Sequence, residues 1–310
     1  MSSRTKTRIN HLFRTFKQNK VLHCSGTKWF YMGNSMLLQL SNFLCFAVAV
    51  IVLSVISLLI SGAYCIENFD ASHPSIIAET GKQKDALDPA WWLSSGARVH
   101  RTGKTVTTVQ GKLADTDQFR LLYAASNPID TDNGYRPQNI LRLVTRAKFK
   151  NFNQQVFFNI NQINTSKSLN RNQSNGVFFF NRYQDSNNIY YVGIRVDGSA
   201  VVKKKLNGRY YLLKSVAVYP GRYNRETLPN LLPIKRRIGI KTVIVNKANN
   251  NVDIKMYLND NQLGSGWTKV LQIEDTGADV ERILKRGYAG IRSDFMDVSF
   301  DSYEAIEILN

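Results

Sequence analysis

Residues 175–213, NGVFFFNRYQDSNNIYYVGIRVDGSAVVKKKLNGRYYLL, constrain the fold more than any other stretch of this chain. Four short runs rich in Val, Ile, Tyr and Phe are separated by Asp185-Ser186-Asn187-Asn188, Asp197-Gly198 and Asn207-Gly208. Asn, Asp and Gly tolerate the positive φ that tight hairpin turns require. β-Branched and aromatic residues suit a pleated, half-buried surface. The stretch therefore predicts a four-stranded antiparallel meander. It also gathers Arg, Tyr and Lys side chains that a function has to explain.

The same signal continues on both sides. Strands are predicted within 98–110, 119–124, 140–149, 155–163, 237–245, 252–258, 267–273, 288–292 and 296–308, with a first edge strand at 66–70. Only 278–286 (ADVERILKR) has helical spacing, enough for a surface turn of helix. More than ten short strands at regular spacing predict an all-β, two-sheet antiparallel jelly-roll sandwich. Trp91-Trp92 is expected to seal one end of its core, with an exposed sugar-stacking pair as the sharper alternative.

The first 65 residues are of another kind. They hold seven Lys or Arg and no acid. No charge occurs between Lys28 and Glu67, and 43–60 (FLCFAVAVIVLSVISLLI) is almost wholly apolar. A run of about 20 apolar residues spans a bilayer's hydrocarbon core. The expected organisation is a basic cytoplasmic leader (1–35), a transmembrane signal-anchor or long signal peptide (36–63), a linker with the edge strand (64–95), and the sandwich (96–310). The positive-inside rule places the sandwich outside the cytoplasm, membrane-bound if the anchor is retained and secreted if Ser61-Gly62-Ala63 is cleaved. Of the three cysteines only Cys65 follows the apolar run, so no internal disulfide is expected in the sandwich. Asn164-Thr165-Ser166 and Asn172-Gln173-Ser174 match the N-glycosylation sequon.

Two blocks carry a family likeness. One runs from Asn188-Ile189-Tyr190-Tyr191 through Arg195-Val196-Asp197-Gly198 to Asn207-Gly208. The other joins Gly287-Tyr288-Ala289-Gly290-Ile291-Arg292 to Val298-Ser299-Phe300-Asp301. Over 97–309 the sequence resembles the concanavalin A-like lectin/glucanase superfamily, especially its laminin-G-like domains. The resemblance implies a sheet that cradles a glycan. It also implies a structural Ca2+ bound through Asp301, with Glu67 or Asp70 offering a second oxygen. That superfamily holds enzymes, lectins and adhesive modules alike, so the likeness leaves activity open.

The residues themselves narrow the chemistry. Retaining glucanases of this type place their carboxylates as E-x-D-x-x-E on one strand face, and this chain has no such segment. His73 and His100 are the only histidines after the apolar run, and no phosphate loop or nucleophile elbow occurs. What remains is a basic, aromatic surface. Tyr rings stack on sugar faces, and Arg forks bind carboxylate or sulfate. Alternation puts Arg142, Arg146 and Lys148 on one face of a strand, Tyr191 and Arg195 on one face of another, and Lys203 with Lys205 on a third.

Arg142, Arg182, Tyr183, Tyr191, Arg195 and Arg292 are the expected ligand-binding residues of a lectin-like domain for an acidic polysaccharide or cell-surface glycan. The alternative is a polysaccharide lyase or glycoside hydrolase of the same jelly-roll class, with Tyr191, Tyr223 or His100 as candidate bases. The net charge of +18 would also suit nucleic acid, but export across a membrane argues against it.

Overall fold

The computed structural model describes residues 66–69 and 74–308. In chain order its strands are β1 (Ile66–Asn68), β2 (Ile76–Ala78), β3 (Trp91–Ser95), β4 (Arg98–Thr102), β5 (Thr105–Thr108), β6 (Ile140–Phe149), β7 (Phe152–Ile163) and β8 (Gly176–Asp185). They continue as β9 (Asn188–Arg195), β10 (Ser199–Leu206), β11 (Arg209–Ala217), β12 (Ile238–Asn246), β13 (Val252–Asn259), β14 (Thr268–Asp275), β15 (Gly287–Asp294) and β16 (Met296–Glu307). One sheet runs β14-β13-β12-β7-β16-β5-β4-β2, with β1 also paired to β16. The other runs β11-β10-β9-β8-β15-β6-β3. Every ladder between these strands is antiparallel, and consecutive strands such as β6, β7 and β8 alternate between the sheets. This is the two-sheet sandwich that the turn-punctuated sequence predicts.

The core lies between the sheets. Val177, Phe179, Val192 and Ile194 from one sheet meet Phe152, Phe158, Ile240, Ile254 and Phe300 from the other, all nearly fully buried. Each such side chain contributes on the order of 1.5–3 kcal/mol by leaving water. Trp91 is wholly buried against Phe69 and Tyr303, with ring centres 5.1 and 4.8 Å away. Trp92 points to the opposite face of β3 and is half-buried.

Two local expectations are corrected. The segment containing 119–124 forms the helix α1 (Gln118–Ser126), not a strand. The Asp117 carboxylate caps it by accepting the Phe119 N–H, and Phe119 with Tyr123, four residues apart, supplies its buried face. Conversely, 278–286 is irregular. Its carbonyls are taken by other groups: Val280 O accepts from Lys204 Nζ, Ile283 O from Arg182 and Leu284 O from Asn246. Tertiary bonds outweigh a weak helical period in so short a segment.

The segment 64–95 contributes β1, β2 and β3, so it is stitched to both sheets. The apolar run 43–60, Cys65 and Asp70 lie outside the described residues. Among the described residues, no helix is long and apolar enough to cross a membrane.

Candidate functional site

The outer face of the seven-stranded sheet carries a second apolar layer. Because alternate residues point to opposite faces, Phe178 and Phe180 turn away from the core, yet they are only 2% and 1% exposed. Val144, Ile189, Tyr191 and Val201 join them, flanked by Trp92, Tyr183 and Tyr288. A sheet face bordering water is normally polar. Here cationic side chains lie across the rings. Lys203 Nζ stands 4.5 Å from the centre of Phe178 and 5.9 Å from Tyr191. The Arg292 guanidinium is 5.4 Å from the Tyr191 ring, and Lys205 is 5.0 Å from Tyr210. Their stems cover apolar surface while their charged heads stay within reach of a ligand.

The charges are arranged against their own interest. Arg142 and Arg292 are direct partners in the β6–β15 register, and like charges in that position repel. The Asp294 carboxylate accepts from Arg292 Nε at 2.7 Å, while its buried Oδ2 lacks a hydrogen-bond partner. Among the described residues, neither Arg142 nor Lys203 forms an ion pair. Above these groups opens a groove of about 460 Å³. Arg142, Lys203, Tyr210, Arg292 and Asp294 form its floor, and Asp130, Asn170, Asn172 and Ser174 form its wall.

The ionisation of these groups reflects the crowding. Burial, reinforced by Arg292, lowers the Lys203 ammonium to about 8. Burial pushes the Tyr191 phenol up to about 12, with Arg292 opposing. Burial acts on Tyr210 in the same sense, but Arg292, Lys205 and hydrogen bonds with Tyr191 and Arg292 prevail and lower its phenol below the usual tyrosine value. Arg292 itself is burdened by burial, yet Asp294, Tyr191 and Tyr210 hold it firmly charged.

Of the six residues expected to bind ligand, Arg142 and Arg292 line the groove. Tyr191 lies beneath it, in edge contact with Phe180 at 5.5 Å. Tyr183 borders the same face, stacked on Phe180 at 5.6 Å. Arg195 serves the wall: its Nε donates to Gln173 O at 2.9 Å and its Nη2 pairs with Asp197 at 2.7 Å.

Arg182 is a correction. The register of β8 slips after Asn181 and Arg182 takes a φ of 54°, a bulge that reverses the alternation. Its side chain is wholly buried, donating to Lys150 O, Ile283 O and Asn151 Oδ1. Burial draws that guanidinium down to about 10.

The calcium expectation does not fit the residues present. Both Asp301 oxygens accept from Arg237, at 3.1 and 2.6 Å, so a guanidinium sits where a cation would bind. Among the described residues, no group of three or more His, Cys, Asp or Glu could hold a metal. Of the candidate bases, His100 is exposed on the other sheet, and Tyr223 lies in the loop beside Arg171 and Arg225.

Lys203, Tyr210 and Asp294 are groove residues that the sequence argument did not select. Alternation did place Lys203 outward and the Asn207-Gly208 turn set β11 beside it, but that Tyr210 and Asp294 share a groove with it is visible only in the assembled sheet. The two sequons separate sharply. Asn164 is buried, its amide donating to Asn139 and Asp297, whereas Asn172 is exposed at the groove wall.

The sequence matches no family model and no curated protein. Among solved structures, the chain is similar to the carbohydrate binding module CBM66 from Bacillus subtilis, at 12% identity over 69% of this chain and 92% of that chain, with a TM-score of 0.42. It is similar to the exoplasmic/lumenal domain of VIP36 in a Ca2+/Man-bound form, at 8% identity over 76% and 91% (TM-score 0.40). It is also similar to the GH43 protein BlXynB from Bacillus licheniformis, at 12% identity over 78% of this chain but only 39% of that one (TM-score 0.39). At these identities and scores the likeness assigns no role to any residue of this chain.

Proposed function

We propose that the sandwich is a non-catalytic glycan-binding domain whose ligand is an acidic polysaccharide or surface glycan held in the groove. The observation that carries this reading is the placement of Arg142 opposite Arg292, with Lys203 beside them, over Tyr191 and Tyr210. A carboxylate or sulfate seated there relieves the like-charge repulsion and accepts charge-assisted hydrogen bonds. Exposed sugar faces would lie against the Tyr210 ring, which is 54% exposed. In this reading the apolar run 43–60 anchors the domain outside the cytoplasm.

One observation favours a second reading, a polysaccharide lyase. Tyr210, with its phenol made more acidic by Arg292 and Lys205, has the environment of a general base beside a guanidinium that would neutralise a uronate. One experiment separates the two. Full-length protein in detergent is titrated with polyuronate, sulfated and neutral glycans, and the mixtures are followed for unsaturated uronate absorbance. The binding reading expects affinity for the charged chains alone, weakened by salt, with no absorbance growth. Absorbance growth would replace it with the lyase, and equal affinity for neutral chains would remove the role of the cations.

A further inference from the structure

A second cavity of about 650 Å³ adjoins the groove, and the groove's own chemistry does not account for it. Lys112, Arg136 and Lys167 stand around it with Gln162 and Thr165, and Ile129, 70% exposed, offers an apolar platform. Three cations face one carboxylate there, Asp132, which is already engaged by Arg136 and by the Ser166 hydroxyl. Arg136 also donates to Asn164 Oδ1 and Lys112 Nζ stands 5.6 Å from the Tyr135 ring centre, so the two lysines carry the positive charge that no carboxylate matches there.

The partition between the two cavities is thin. Ser168 lines the second cavity and Asp130 lines the groove. The Ser168 hydroxyl donates to Asp130 at 2.5 Å, and Asn170 adds its amide at 3.0 Å. Loops 127–139 and 164–175 are zipped together along this seam. The second loop is fixed from behind: Arg171 donates to Ser166 O and Arg225 O, and Arg225 donates to Lys167 O and Ser168 O. The cavity floor is also held in an uncommon backbone shape. Asp132, Asn133 and Gly134 take successive positive φ values of 53°, 57° and 84°, a conformation that surrounding structure must maintain.

We propose that this cavity is a second anion-binding subsite, so that one acidic polysaccharide chain lies across the Asp130–Ser168 seam with charged sugars in both cavities. The inference rests on the groove being a glycan site. Once one sugar is held in the groove, the next charged unit meets the second cavity at high effective concentration. Longer chains then bind more tightly without any further protein surface.

The test uses full-length protein, a uronate oligomer just long enough for the groove, and a long polyuronate. The variant is Lys112→Ser with Lys167→Ser; both lysines are exposed and make no ion pair among the described residues. The variant should bind the long chain at least ~10-fold more weakly and the short oligomer within ~2-fold of the native protein. Unchanged affinity for the long chain overturns the subsite, as does an equal loss on both ligands. If native protein binds neither ligand, the groove reading itself falls and takes the subsite with it. That outcome differs from a groove that binds without dependence on chain length, which sinks the subsite alone.

Discussion

Replacing Lys203 with methionine is expected to raise the stability of the protein at neutral pH while weakening its hold on an acidic glycan by about tenfold or more. Lys203 is charged in a place that disfavours charge: burial and Arg292 lower its ammonium to about 8 from the ordinary 10.5. The unfolded chain keeps its proton up to about 10.5, so between these values it binds more protons than the folded state. Stability gained at this residue therefore rises with pH across that window and is withheld below it. Methionine keeps the apolar stem over Phe178 and removes the penalised charge.

Binding should run the other way. Native affinity for an anionic ligand falls as pH rises through about 8, and Tyr210, with its lowered phenol, adds to the loss at the alkaline end. The methionine variant should lose the step near 8. Calorimetric melting and titration over pH 6 to 11 read both quantities. A variant less stable at pH 7, or one that binds with an unaltered pH profile, contradicts the assignment.

The second large effect concerns the next residue of β10, on the opposite face of the sheet. Lys204 points inward and is wholly buried; its Nζ meets Asp275 Oδ2 at 2.8 Å and Val280 O at 2.8 Å. The Tyr190 hydroxyl donates to the same carboxylate at 2.6 Å and accepts from Ile283 N. This network fastens the irregular segment 276–286 to the core and raises the Tyr190 phenol, through burial first and Asp275 second.

Asp275→Ala strands a buried ammonium and should cost about 3–5 kcal/mol, on the order of 10 °C in melting temperature. Adding Lys204→Met should recover much of that loss, because a buried pair exchanged for apolar residues is close to neutral. A single variant within about 1 kcal/mol of native, or a double variant no better than the single, would show that the network is not coupled in this way.

What could be seen in the sequence follows from which forces are local. Turn residues such as Asp197-Gly198 and Asn207-Gly208 fix their hairpins within a few positions, and both glycines take the expected positive φ. The strand at Ile140–Phe149 follows its alternation, with Leu141, Leu143 and Phe149 inward and Arg142 outward. Arg182 was not legible in this way. A bulge reverses its direction, and nothing within β8 announces it, because its acceptors come from residues 150, 151 and 283. Helix α1 was readable in principle from the Asp117 cap and the Phe119–Tyr123 spacing. The groove was half-legible. Arg142 and Lys203 followed from alternation, but its walls are loops brought together by Asp130, Ser168 and Asn170, a contact set by the tertiary fold.

Arg142 and Arg292 stand side by side on the groove floor, where the proposed anionic ligand would meet both guanidiniums. Calorimetric titration of full-length native protein and of Arg142→Gln with the same polyuronate decides whether this pair binds the ligand. The expected result is about tenfold or greater loss of affinity with an undiminished melting temperature, since the substitution also ends a like-charge opposition. Equal affinity for the two proteins would contradict it.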